Sequence, residues 1–286
     1  MQIKGFFDPR TSTITYVAWD EDSGGAVVID PVLDYDPVAA RVYNDSADEV
    51  LAFLADNDLK LHWIFETHAH ADHISGSQYL KKQTGAGVGI GKNITAVQGV
   101  FKDVLNLDEG FATDGSQFDM LLGEDDTLTV GGMTIKVINT PGHTPACVSY
   151  HIGDALFTGD AMFMPDFGTG RCDFPGGSAE TLYDSVMNKL YALPDETRVF
   201  VGHDYQPGGR ELAFETTIGA SKSANIQLQG DTDREQFVQW RATRDATLNL
   251  PRLIFQAIQV NVDAGHLPAP ESNGKRYLKL PLNLFD

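Results

Sequence analysis

His68, His70, Asp72 and His73 fall within six residues of the stretch ETHAHADHISG, and further candidate ligands stand in three later segments: His143 in TPGHT, Asp160 in FTGDA and His203 in VGHDY. Imidazole mixed with carboxylate suits Zn, Fe or Mn and not Ca or Mg, which favour shells of oxygen. Histidines two apart in a loop after a strand can turn toward one point, and Asp72 and His73 toward a neighbouring one. The chemistry open to such a set is hydrolysis at two metal ions or a different reaction at one. His62, His151 and His266 stand outside the cluster and read as ordinary structural histidines.

Groups so dispersed meet only if the fold delivers them to one place. TITYVAWD and GAVVIDP read as adjacent strands bounded by turn residues such as EDSGG, and KLHWIFETH as a buried strand whose end carries His68. TLTVGGMTIKVINTPGH reads as two strands around a Gly-Gly turn, and SYHIGDALFTGDAMF as two more around Gly153-Asp154. TRVFVGHD is a further strand, ending at His203. All seven candidate ligands therefore sit at the C-terminal ends of strands, where an α/β fold builds its sites.

Between the strands, DPVAARVYNDSADEVLAFLADNDL reads as an amphipathic helix, with Val50, Leu51, Leu54 and Leu59 near helical spacing. SAETLYDSVMNKLYAL carries Ser178 as N-cap and Leu182, Val186 and Leu190 at four-residue intervals. TGAGVGIGK fits neither dinucleotide nor P-loop spacing and reads as a helix stop at Gly85 followed by a strand. After Glu215 the alternation ceases. TDREQFVQWRATRDATL and LPRLIFQAIQVNVDAG, the latter with Pro251 at a first helical position, predict helices there. The division expected is a catalytic domain over 1–215 with a C-terminal extension over 216–286 packed on it.

The net charge of −19, from 21 Lys+Arg against 40 Asp+Glu, argues against nucleic acid as a partner, since phosphate binding needs a basic face. From Thr216 onward 8 basic residues meet 7 acidic ones, so the acidity lies in the body of the chain. Cys147 and Cys172 form no CxxC and are too few for a disulfide framework. MQIKGFFDPR lacks the apolar core of a signal peptide, and no apolar run is long enough to span a membrane. A soluble, reducing, cytoplasmic setting is expected.

The motifs THAHADH, TPGHT, FTGDA and GHDY, in that order over Met1 to Gln206, resemble those of the metallo-β-lactamase fold superfamily. The resemblance implies an α/β (α+β) fold: a four-layer αββα sandwich with its metal in a cleft at one edge, here with a partly helical C-terminal extension. In the superfamily's hydroxyacylglutathione hydrolases all seven positions bind. That would put one ion on His68, His70 and His143, a second on Asp72, His73 and His203, and Asp160 between them. In its persulfide dioxygenases a single Fe(II) is held by the counterparts of His68, His143 and Asp160, leaving open positions for substrate sulfur and O2. His70, Asp72, His73 and His203 then become outer groups that orient the ligands.

GTGRCDFPGGSAETLYDSV and GHDY are similar to the dioxygenase segments GRxDF and His-Asp-Tyr, with a longer tail than the mitochondrial-type enzymes carry. The activity implied is therefore glutathione persulfide dioxygenase at a mononuclear non-haem Fe(II), one per chain, and the alternative is a dinuclear glyoxalase II. The partners implied are glutathione persulfide and O2, with neither nucleic acid nor membrane and, as an open expectation, a homodimer. Arg171 is the expected carboxylate-binding fork, a salt bridge to Asp173 being its competing reading, and Tyr205 the expected phenol donor beside the metal. Arg210, Arg252, Lys275, Arg276 and Lys279 are expected toward the far end of the substrate. Cys172 reads as a small buried residue more readily than as a redox thiol, and Cys147 as core.

Overall fold

β-Branched and aromatic runs dominate the strands of the computed structural model, which describes residues 1–284. The first half contains β1 (Gln2–Asp8), β2 (Thr13–Trp19), β3 (Gly25–Ile29), β4 (Val32–Asp36), β5 (Arg41–Tyr43), β6 (Lys60–Glu66), β7 (Ile74–Ser75), β8 (Gly87–Gly91) and β9 (Met120–Leu122). The second contains β10 (Thr127–Val130), β11 (Met133–Asn139), β12 (Val148–Ile152), β13 (Ala155–Phe157), β14 (Arg198–Phe200) and β15 (Glu215–Thr217). They pair into two six-stranded sheets, β1-β2-β3-β6-β8-β9 and β10-β11-β12-β13-β14-β15, with a small β5-β4-β7 sheet beside them.

The sheets face each other across a buried apolar layer that includes Ile14, Tyr16, Phe65, Tyr150, Phe157 and Phe200. Helices α1 (Asp45–Asp56), α2 (Ser77–Thr84) and α3 (Ile94–Val104) cover the first sheet. On the other side, α4 (Ala179–Ser185), continued as a π-turn over Val186–Leu190, covers the second. Leu182, Val186 and Leu190 are fully buried, each worth about 1.5–3 kcal/mol. With α5 (Ile218–Ala224), α6 (Arg234–Asp245) and α7 (Ile254–Asn261), the layers give the expected αββα sandwich.

Ser178 caps α4 by accepting the Thr181 amide at 3.1 Å, and Gly85 ends α2 at φ 77° ahead of β8, both as the sequence predicts. The helix expected from Asp36 to Leu59 is shorter. Asp36 Oδ1 instead accepts the Val38 and Ala39 amides at 2.8 and 3.1 Å, turning the chain into the β4–β5 hairpin before α1 begins at Asp45. Side-chain competition for backbone donors here overrides the apolar spacing. Pro251 likewise lies outside α7, in the turn whose carbonyl accepts the Ile254 amide.

The boundary expected after Glu215 falls inside β15, which pairs with β14 in the second sheet. Downstream residues enter the shared cores: Phe237 packs with the α4 layer, and Ile254, Ile258 and Val262 with the helices over the first sheet.

Candidate metal centre

Four strand ends converge. β6 delivers His68 through the 67–73 loop, β11 delivers His143, β13 delivers Asp160 and β14 delivers His203. The two sheets are fastened at this edge by the Tyr150 hydroxyl donating to Glu66 O at 2.8 Å, Val148 N to Thr67 O at 2.9 Å, and Ile14 N to Gly202 O at 2.9 Å. Gly159, at φ 49°, permits the closest approach: a Cβ there would lie 2.4 Å from Thr67 Oγ1.

Ligand-type atoms of His68, His143 and Asp160 lie within 4.8 Å of one another, all three residues buried. Those of His70, Asp72 and His203 form a second group, in which Asp72 is partly exposed. The groups adjoin, with His203 Nε2 3.3 Å from Asp160 Oδ1 and His143 Nε2 3.5 Å from Asp160 Oδ2. His73 joins neither group. Its Nδ1 stands 3.1 Å from Asp72 Oδ2 and 3.3 Å from Thr13 Oγ1.

His68 Nε2, His70 Nδ1, His73 Nε2 and Asp160 Oδ1 are buried with no hydrogen-bond partner. Buried polar atoms are rarely orphaned, and a cation among them resolves the deficit. The residues present therefore fit a metal of the imidazole–carboxylate type.

The outer faces of the rings are held differently in the two groups. His68 Nδ1 faces Thr67 Oγ1 at 3.0 Å, and His143 Nδ1 donates to the Arg171 carbonyl at 2.6 Å, so neutral partners orient both. His70 Nε2 instead lies 3.0 Å from Asp30 Oδ1 and 3.3 Å from Glu66 Oε2. Burial, then the neighbouring His70 and His143, holds His68 well below the ordinary imidazole pKa. Burial also acts against charge on His70, but the Asp30 and Glu66 carboxylates together outweigh it and raise this group well above the usual value.

Asp30 is the residue that motif reading missed. It is buried at the end of the apolar strand β3, accepts the Thr67 amide at 2.7 Å and the Thr67 hydroxyl at 2.8 Å, and so fixes the start of the histidine loop. A carboxylate closing a fully buried strand was the signal available, because such a group must find partners. Asn261, from α7, is the second omission: its amide donates to His70 O and His73 O, both at 2.8 Å, and its oxygen accepts Ser75 N at 2.8 Å.

A cleft of about 990 Å³ opens over Asp72, His143 and Asp160, walled by Phe163, Phe167 and Tyr205 and extending to Trp240, Arg244 and Arg252. Tyr205 stacks on His203 with ring centroids 5.6 Å apart. Arg171 lines the cleft, but its guanidinium already grips Asp173 through two 2.5 Å bonds and donates to Asn249 O at 2.7 Å. The fork expected to be open is thus occupied by an internal carboxylate. Of the cations expected toward the far end of the substrate, Arg210 pairs with Asp166 and Asp204, and Lys279 and Arg276 bond backbone carbonyls.

Residues 8–203 match the model of the metallo-beta-lactamase superfamily. The chain belongs to that superfamily. It is 46% identical to a probable metallo-hydrolase of Burkholderia pseudomallei, over 99% of each chain. It is 45% identical to glyoxylase B2 of Dictyostelium discoideum, over 99% of this chain and 97% of the relative. Mouse mitochondrial persulfide dioxygenase is 33% identical over 92% of this chain and 88% of its own. Among solved structures, ETHE1 from Myxococcus xanthus superposes with a TM-score of 0.74 at 35% identity, covering 93% of this chain and 100% of that one. The chain spans only 65% of the length of the beta-lactamase hydrolase-like protein of Xylella fastidiosa, to which it is 48% identical. No helix among the described residues is long and apolar enough to cross a membrane.

Proposed function

We propose that this metalloenzyme is a glutathione persulfide dioxygenase, using one Fe(II) held by His68, His143 and Asp160. The observation that carries the reading is the asymmetry of the two groups. The first presents rings oriented by neutral partners, whereas His70 in the second is engaged by two carboxylates. Two histidines and one carboxylate form the facial set of non-haem iron oxygenases. Iron bound there would supply the redox centre for the reaction of O2 and water with the terminal sulfur, giving sulfite and glutathione. Likeness to the mouse persulfide dioxygenase supports the same choice.

The chain's own groups bind and orient. Tyr205 offers a phenol hydroxyl from the cleft wall, and Asp72, His73 and His203 steady the floor through Thr13. The Arg244 guanidinium donates only to Thr247 Oγ1, at 3.3 Å, and Arg252 makes no hydrogen bond or direct ion pair among the described residues, although its charge reaches Asp36. Two cations held by no direct carboxylate contact beside the cleft of a −19 chain suit the carboxylates of a glutathione-type substrate.

The test is oxygen uptake by Fe(II)-loaded protein on adding glutathione persulfide, with sulfite assayed and His143→Ala as control. Uptake matched by sulfite is expected. Cleavage of S-lactoylglutathione by protein holding two metals, without oxygen uptake, would overturn the reading. That second reading, a dinuclear thioester hydrolase, draws support from the compact His70–Asp72–His203 group and the likeness to the Dictyostelium glyoxylase.

A further inference from the structure

The segment from Phe167 to Cys172 has no regular secondary structure, yet much of its backbone is buried. Side chains from beyond residue 224 satisfy it. Gln227 Nε2 donates to Phe167 O at 2.7 Å, Asn225 Nδ2 to Gly168 O at 3.1 Å, and Gln227 Oε1 accepts Thr169 N at 2.8 Å. Arg241 Nη1 donates to Thr169 O and Gly170 O, both at 3.3 Å, and Asp245 Oδ2 accepts Cys172 N at 2.8 Å. Arg241 and Asp245 are themselves an ion pair one helical turn apart on α6, 3% and 5% exposed.

The opposite side of the same segment touches the metal centre. Gly170 N donates to Asp160 O at 3.1 Å, and a Cβ on Gly170 would lie 2.2 Å from that oxygen. The Arg171 carbonyl, between the atoms that Arg241 and Asp245 hold, is the acceptor that orients His143 Nδ1 at 2.6 Å. The loop is therefore a single peptide layer between an ion pair and two expected ligands. Displacing it moves His143 and Asp160 together.

We infer that Arg241 and Asp245 are positioning residues: through the 169–172 backbone they set the orientation of His143 and the place of Asp160. The inference rests on His143 and Asp160 being metal ligands, not on the reaction performed. A buried pair contributes little net stability; here its further hydrogen bonds go to the 169–172 backbone, to Thr169 Oγ1 and to Gln227 Oε1, so the pair ties that segment to α6.

The experiment loads the full-length protein with Co(II), whose visible absorption reports ligand geometry, and measures affinity by chelator competition alongside thermal unfolding. Asp245→Asn and Arg241→Lys are expected to fold, to weaken affinity about 10–100-fold, as losses behind metal ligands do, and to shift the Co(II) spectrum. Arg234→Ala removes an exposed pair between α6 and Asp184 and is expected to leave both unchanged. Asp245→Asn and Arg241→Lys variants that fold with wild-type affinity and spectrum would overturn the inference. His143→Ala separates the two claims. If it does not alter Co(II) binding, the ligand assignment fails. If it does while Asp245→Asn does not, only the clamp fails.

Discussion

The floor of the cleft and its C-terminal wall are built on opposite terms. On the floor, the histidines and Asp160 are almost wholly buried and each ring is oriented by a second group, Thr67, Arg171 O, Asp30 or Thr13. On the wall, Trp240 is 40% exposed and the Arg244 and Arg252 guanidiniums make no direct ion pair among the described residues. A metal site needs fixed geometry, so its supports are numerous; a substrate anchor needs an unsatisfied charge, so its supports are few.

The comparison breaks hardest at the floor. His143→Ala removes an expected ligand and should reduce metal affinity and turnover by more than the ~100-fold typical of outer partners, read by metal content after dialysis and by initial rates. Asp30→Ala comes next, with about a 10–100-fold loss of affinity. Asp30→Asn should recover part of this by keeping an acceptor for Thr67, and equal losses in both variants would mean that charge on Asp30, not geometry, matters.

At the wall the effect should be smaller and of another kind. Arg244→Ala and Arg252→Ala should each raise KM about tenfold, the loss of one charge-assisted hydrogen bond, with kcat and metal content unchanged. A fall in kcat at constant KM would move these residues from wall to floor. Between the regions sits Cys172. Burial raises both thiols, Cys147 to about 12 and Cys172 further, so neither is a thiolate at neutral pH. Cys172→Ala should hold turnover within about twofold, and iodoacetamide should label the folded protein slowly at pH 8, since ionisation would begin only well above that.

The same contrast explains what the sequence made legible. Chemistry dictates residue type on the floor, so all seven candidate ligands stand out as a pattern, and the strands that carry them follow from their apolar runs. Supports are less typed. Thr67 works through one hydroxyl, Arg171 through a carbonyl that any residue has, and Asn261 lies 186–191 residues from the groups it holds. Arg171 illustrates the limit from the other side: a guanidinium two residues from an aspartate could serve a substrate or that neighbour, and three-dimensional proximity chose Asp173. The hairpin at Asp36 was hidden because Val38 and Val42 mimic helical spacing while Asp36 captures the backbone.

Asn261 has one more consequence, for the order of assembly. The loop bearing His68 to His73 is made early, but the side chain that fastens His70 O, His73 O and Ser75 N belongs to α7, near the end of the chain. Contacts of such sequence separation require the closure of a long loop before they reward it. During synthesis the histidine loop therefore waits, unfastened, for α7, and a metal ion arriving before then meets donors that have not been brought to their final places.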